Sequence, residues 1–244
     1  MPVIRSPALL HPERIHPALW RGSQLAMARQ NTVSTGFDLL NEELPNQGWP
    51  LSTLIELTLS QAGIGEMRLL HPALAKLDCE RSIALVHPPY TPYFHCWLNW
   101  QLGAHRLLWV NSQTPSDSLW ASEQILKHNA CAALLCWAAG VRPEALRRLH
   151  LVAQQSDALF VLLRPQIAAQ QTSAAPLRLS LKPVLQGLEV AIIKRRGPSC
   201  SQPVVIPLYP ARSGADMNTP SYASLDQSLP AVTQPGRTLS PVAH

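Results

Sequence analysis

The stretch Ser60-Gln61-Ala62-Gly63-Ile64-Gly65-Glu66-Met67 follows an apolar run, Leu54-Ile55-Glu56-Leu57-Thr58-Leu59. A strand, a Gly-bearing turn and a helix form the setting of a phosphate-binding loop, which reads Gly, four residues, then Gly-Lys-Ser/Thr. In that pattern backbone N–H groups cradle phosphates, the Lys neutralises them and the hydroxyl holds Mg²⁺. Here Ser60 stands at the first Gly, Glu66 at the Lys and Met67 at the hydroxyl residue, so only Gly63 and Gly65 still offer backbone. An anion in place of a cation beside a triphosphate reverses an interaction of about 1 kcal/mol in water and about 4 kcal/mol at a partly shielded site. Met67 offers a soft thioether to an ion that selects hard oxygen ligands.

The flanks make the pattern specific. Upstream lie Ser34-Thr35-Gly36-Phe37-Asp38-Leu39-Leu40-Asn41 and the turn Leu44-Pro45-Asn46-Gln47-Gly48-Trp49-Pro50. Downstream, Met67, Leu70, Leu74 and Leu77 fall three and four apart, one face of a helix. Pro72 is expected to kink that helix or to mark its true start. The order of these segments resembles the RecA-type ATPase core. Together with Trp20-Arg21-Gly22, Arg68-Leu69-Leu70, Arg164-Pro165 and Lys194-Arg195-Arg196-Gly197 it resembles the ImuA family, whose members accompany error-prone translesion DNA synthesis in bacteria. From Leu54 to about Pro165 the chain is also similar to the SOS cell-division inhibitor SulA. The resemblance spans roughly residues 17 to 208.

A RecA-like core ends its fourth strand with an Asp that holds Mg²⁺ through water. The matching segment, Cys131-Ala132-Ala133-Leu134-Leu135-Cys136-Trp137, carries no carboxylate, and none occurs between Glu123 and Glu144. Two metal-side groups are thus missing from two separate places, and no cofactor is expected. Asp117 and Glu123 fall near the position of a water-activating Glu; the ordinary reading is a helix-capping Asp and a solvated Glu. Glu56 is read as structural.

Strands are expected at Thr53–Leu59, Ser82–His87, Arg106–Val110, Cys131–Trp137 and Ala158–Leu163, with helices between them. Thr114-Pro115-Ser116-Asp117 reads as a helix start, and Arg142-Pro143-Glu144 opens another helix with Leu146 and Leu149 inward. Alternating strands and helices give an α/β fold with a mostly parallel sheet covered on both faces. After Pro176 the period is two, with Leu177, Leu179 and Leu181 inward and Arg178, Ser180 and Lys182 outward. An antiparallel extension through Leu188–Ile193 and Pro203–Leu208 follows. The organisation expected is an N-terminal extension over 1–33, a RecA-like domain over 34–210 and a disordered Pro/Ser-rich tail over 211–244.

The chain of 244 residues is 46% hydrophobic, enough for a substantial core. It has no apolar run of about 18 residues that could span a membrane, and its N-terminus has no signal-peptide pattern. Five cysteines without Cys-x-x-Cys spacing and nine histidines without a zinc pattern indicate a reduced, metal-free, cytoplasmic protein. Trp97, Trp100, Trp109, Trp120 and Trp137 lie mostly in periodic apolar segments, which reads as core packing rather than base stacking.

A net charge of +5 and a pI near 9.2 permit an acidic partner. Lys194-Arg195-Arg196 is the sharpest basic cluster; it reads either as a solvated strand end or as a contact with phosphates or an acidic protein face. Arg164 opens the segment 164–175, which reads as a plain connection or as a short counterpart of a DNA-contacting loop. The ImuA resemblance implies a non-catalytic accessory protein. Its partners would be an ImuB-type Y-family polymerase relative, an error-prone DnaE-type polymerase and RecA, with DNA as a further candidate. The SulA similarity implies the alternative, an inhibitor that binds the division protein FtsZ.

Overall fold

The computed structural model describes residues 31–197 and 202–208; Trp20-Arg21-Gly22 and the expected tail lie outside them. The chain enters through β1 (Thr32–Val33), α1 (Asp38–Glu43), a short 3-10 turn and β2 (Trp49–Pro50). Val33 is part of the core, so the folded unit reaches back past the expected boundary at residue 34. There follow β3 (Thr53–Leu59), α2 (Glu66–Lys76), β4 (Ser82–Val86), α3 (Phe94–Asn99), β5 (Leu107–Val110), α4 (Pro115–Lys127) and β6 (Cys131–Trp137). Then come α5 (Pro143–Ala153), β7 (Leu159–Pro165), a 3-10 turn over Gln166–Gln170, β8 (Leu177–Val184), β9 (Gly187–Lys194) and β10 (Val204–Pro207).

The main sheet has eight strands in the order β10-β9-β8-β3-β7-β6-β4-β5. From β8 to β5 all neighbours are parallel, and β9 and β10 add antiparallel strands at one side. The mostly parallel sheet and its antiparallel C-terminal extension are therefore as the alternating pattern requires. β3 is central and every residue in it is buried, which is why it reads as a continuous apolar run rather than an alternating one. One face packs Leu69, Leu70, Leu74 and Trp97 from α2 and α3; the other packs Leu126, Leu146 and Leu149 from α4 and α5. Thr114 caps α4, its hydroxyl accepting the Asp117 N–H at 3.2 Å.

Two local expectations change. α2 starts at Glu66 and runs through Pro72, so Pro72 does not mark the helix start. Its ring instead packs on Gly36, where φ is +85° and a Cβ would lie 2.3 Å from the proline Cβ. The second change is in β8: Arg178 and Ser180, expected to face water, are 5% and 6% exposed. β8 lies inside the sheet, and the Gln166–Gln170 turn folds against it. Arg178 donates to the Ala168 carbonyl at 2.8 Å and Gln166 donates to the Ser180 hydroxyl at 2.8 Å. Among the described residues no helix is long and apolar enough to cross a membrane.

Candidate functional site

The loop Ser60–Gly65 joins β3 to α2 at the C-terminal end of the parallel strands, where open α/β sheets place ligand crevices. Gly63 and Gly65 have φ of +84° and +120°, left-handed conformations that glycine adopts without strain. They turn their N–H groups towards one point, and that point is occupied by the chain itself. Glu66, the first residue of α2 and only 3% exposed, folds its carboxylate back into the loop. Oε1 accepts the Gly63 N–H at 2.8 Å and Oε2 accepts the Gly65 N–H at 3.1 Å.

The residue that replaces the cation of the phosphate-binding pattern is thus also the loop's own anion. Amides in a Gly turn and a helix N-terminus attract negative charge, and a carboxylate on the first helical turn is the shortest way to supply it. Sequence reading caught the loss of the Lys but missed this role; the available signal was an acidic residue at the first position of a helix after Gly-x-Gly. Ser60 is exposed at the strand end, and Met67 is half-buried against the core on the helix. Neither is bonded to the other loop groups in a way that rebuilds a metal site.

Two clefts flank the loop. One, of about 290 Å³, is lined by Ser60, Gln61, His87, Trp137 and the end of β7. The other, of about 350 Å³, lies between Glu66, Met67 and the Pro88–Tyr93 segment, with Trp97 and Trp100 in its wall. No side-chain carboxylate from the end of β6 reaches either cleft, since Trp137, Ala138 and Ala139 occupy that end.

Beside the loop, Arg164 contradicts its reading as a DNA or partner contact. It is 2% exposed, with Nη1 3.5 Å from Glu56 Oε1 and Nη2 donating to Gln171 at 2.8 Å. Glu56, fully buried, also accepts from Arg178 at 2.8 and 3.2 Å and from the Ser173 hydroxyl. The segment after β7 is therefore a set of polar props for a buried ion cluster. Burial pulls the Arg164 pKa below the ordinary guanidinium value; Glu56 counters this and Arg178 adds to it. Glu56 is structural, as its place in a central strand implied, but Arg178 as its principal partner was hidden by the alternating pattern of β8.

The basic turn sits at the opposite end of the sheet. β9 runs antiparallel, and its Lys194 pairs with Arg178 at the start of β8. The cluster does not act as one patch. Arg195 turns inward and bonds both the backbone carbonyl and the carboxylate of Glu43 on α1, the latter at 3.0 Å. Its reading as a free phosphate contact is thereby corrected. Lys194 is exposed and donates to the Ser173 carbonyl at 3.1 Å, and Arg196 is exposed. Both lie close enough to His150, at the end of α5, to lower its pKa, although burial is the larger cause.

The remaining candidates are ordinary. Glu123 pairs with Arg148 at 2.8 Å on the surface. Cys131 and Cys136 are buried in β6, and burial raises their thiols to about 12 and about 11, so they are inert hydrophobes. Trp97 is core, but Trp109 and Trp120 are 45% and 63% exposed, against the expectation that they pack inside.

No protein-family model matches this chain. No curated protein matches it. Among solved structures it is similar to SulA from Pseudomonas aeruginosa, at 20% identity over 46% of this chain and 97% of that one, with a TM-score of 0.39. A likeness of that degree carries no argument about function, which rests on the residues.

Proposed function

We propose that the protein is a non-catalytic accessory factor of the bacterial DNA-damage response, acting through protein partners in error-prone translesion synthesis as the ImuA resemblance implies. The observation that carries the non-catalytic part is the Glu66 carboxylate seated on the Gly63 and Gly65 amides. A triphosphate would have to displace a buried anion from the donors it needs, and would find neither a Lys nor a metal ligand there. The end of β6, with no carboxylate, supports the same reading independently. The partner assignment comes from the sequence motifs, with an ImuB-type polymerase relative, a DnaE-type polymerase and RecA as its members. On this reading the basic turn supplies at most Lys194 and Arg196 to an acidic partner or DNA.

Calorimetry with Mg·ATP should give no saturable heat, and hydrolysis should not exceed that of a Glu66→Ala control. Saturable binding or turnover by the wild-type chain would sink the proposal. Co-expression with an ImuB-like protein should yield a complex, and expression alone should leave cells dividing normally. Filamentation that disappears in cells with SulA-resistant FtsZ would make the division-inhibitor reading the better one.

A further inference from the structure

Gly65 does more than turn the loop. A Cβ at that position would lie 2.6 Å from Leu208 Cδ1 and 3.7 Å from Leu188 Cδ1, so the missing side chain leaves a socket that Leu208 fills. A second glycine receives the backbone of Leu208. A Cβ at Gly187 would lie 2.1 Å from the Ile206 carbonyl oxygen and 2.7 Å from the Leu208 nitrogen, too close for any real side chain. In a phosphate-binding loop the glycines let backbone approach the ligand. Here Gly65 instead lets a side chain from the end of β10 approach the loop.

The grip falls at one point of the loop. At Gly63 a Cβ would meet only Tyr90 Cε2, at 3.5 Å, which is ordinary contact. Ile64, between the two glycines, is buried in the same core cluster as Leu59 and Leu188, and Leu208 is half-buried against that cluster. The loop is thus held in two ways: by apolar contacts through Ile64 and Leu208, and by the Glu66 carboxylate on the Gly63 and Gly65 amides.

Leu208 stands at a weakly secured place. β10 has four residues, lies at the sheet edge, and has β9 as its one paired strand among the described residues. Pro207, its last residue, has no N–H to give. An element with so few bonds opens at a fraction of the cost of global unfolding. The loop it touches is shared by both clefts: Ser60, Gln61 and Ala62 line one, and Gly63, Gly65 and Glu66 line the other.

We infer that Leu208 is a latch that couples the end of β10 to the loop. With Leu208 on Gly65 the loop stays closed around the Glu66 carboxylate; when the strand end lifts, the loop loosens and the shared wall of the two clefts moves. Residues 209–244 follow Leu208 directly, so a pull on them reaches the latch first. The coupling runs both ways, since a contact that steadies the loop through β10 also steadies β10 through the loop.

Amide hydrogen exchange on the full chain, read residue by residue by NMR, tests this. Leu208→Ala should speed exchange of the Gly63 and Gly65 amides at least about fivefold, the lower end of ordinary coupling between sites. The amides of Ile55 and Leu57 in β3, which open with the whole domain, should change less. Val205→Ala, at an exposed position on the same strand, should leave the loop unchanged. Glu66→Ala should in return speed the amides of β10. The inference is overturned if Leu208→Ala leaves the loop amides unmoved or raises them only by the same factor as β3. It is overturned equally if Val205→Ala loosens the loop as much, or if Glu66→Ala leaves β10 unmoved. Should Leu208→Ala not fold, Leu208→Val, which shortens the side chain but keeps it apolar, carries the same expectation at the loop.

Discussion

Glu56 and Glu66 belong to one strand–loop–helix unit and are both almost wholly buried, yet they are held by opposite means. Glu56 lies between two guanidinium groups in the middle of the sheet; Glu66 rests on backbone amides at its rim. A buried carboxylate needs compensation wherever it is, because its ionised form loses water. What differs is what each leaves behind when it is removed. Around Glu56 the partners are themselves buried charges; Gly63 is exposed and Gly65 partly so, and water can reach those amides. Equal burial therefore does not mean equal importance to stability.

The widest separation should appear in Glu56→Ala. Removing that carboxylate strands Arg164 and Arg178, 2% and 5% exposed, without an anion. Breaking a buried pair in this way costs about 3–5 kcal/mol, to be read as a shift in the urea midpoint at unchanged slope. Glu56→Gln should recover little, since it restores an acceptor but not a charge. A loss within the range of ordinary surface changes would mean that Gln171 and the Ala139 and Ala168 carbonyls suffice for both cations.

Glu66→Ala should cost about 1 kcal/mol, the sum of a lost helix-start carboxylate and two amides returned to water. A loss as large as that of Glu56→Ala would erase the contrast and make the loop as rigid a part of the core as the sheet centre.

The same contrast explains which parts were legible in the sequence. β3 and β6 were readable to the residue, because continuous apolar runs bounded by turns leave a buried parallel strand no other place. The missing cation and hydroxyl at Glu66 and Met67 were readable because a motif fixes their spacing. What the vacated loop does with its amides was not, since that depends on a side chain folding back over three residues. Arg164 and Arg178 were misread for a common reason: an Arg in a sequence looks like a surface cation until the acid buried beside it is located. β8 alternates perfectly, but periodicity does not announce that a 3-10 turn covers its second face. Arg195 lost its free-cation reading to Glu43, a residue far away in the chain.

A third region sharpens the comparison by holding a titratable group whose charged neighbours, Arg196 and Lys194, are both of its own sign. His150 Nδ1 lies 3.5 Å from the Leu54 N–H and 3.4 Å from the Thr53 hydroxyl, at the N-terminal end of β3. Accepting the amide hydrogen requires that nitrogen to be unprotonated. Burial lowers its pKa below 6.5, and Arg196 and then Lys194 lower it further. The folded state thus resists the proton that the unfolded chain accepts near 6.5. As pH falls below that value the unfolded state binds more protons, so stability declines until the folded His150 itself titrates, and is flat beyond. This contribution is complete above 6.5 and has the smallest size of the three, because the ring is only half-buried. The wild type should therefore lose more stability between neutral and mildly acidic pH than His150→Gln does, the other histidines being common to both. Arg196→Ala with Lys194→Ala should move the His150 titration upward by NMR, towards but not past 6.5, because burial remains. A His150 resonance that titrates above 6.5 in the wild type would show an anion beside it, and the basic turn would then be paired from both sides.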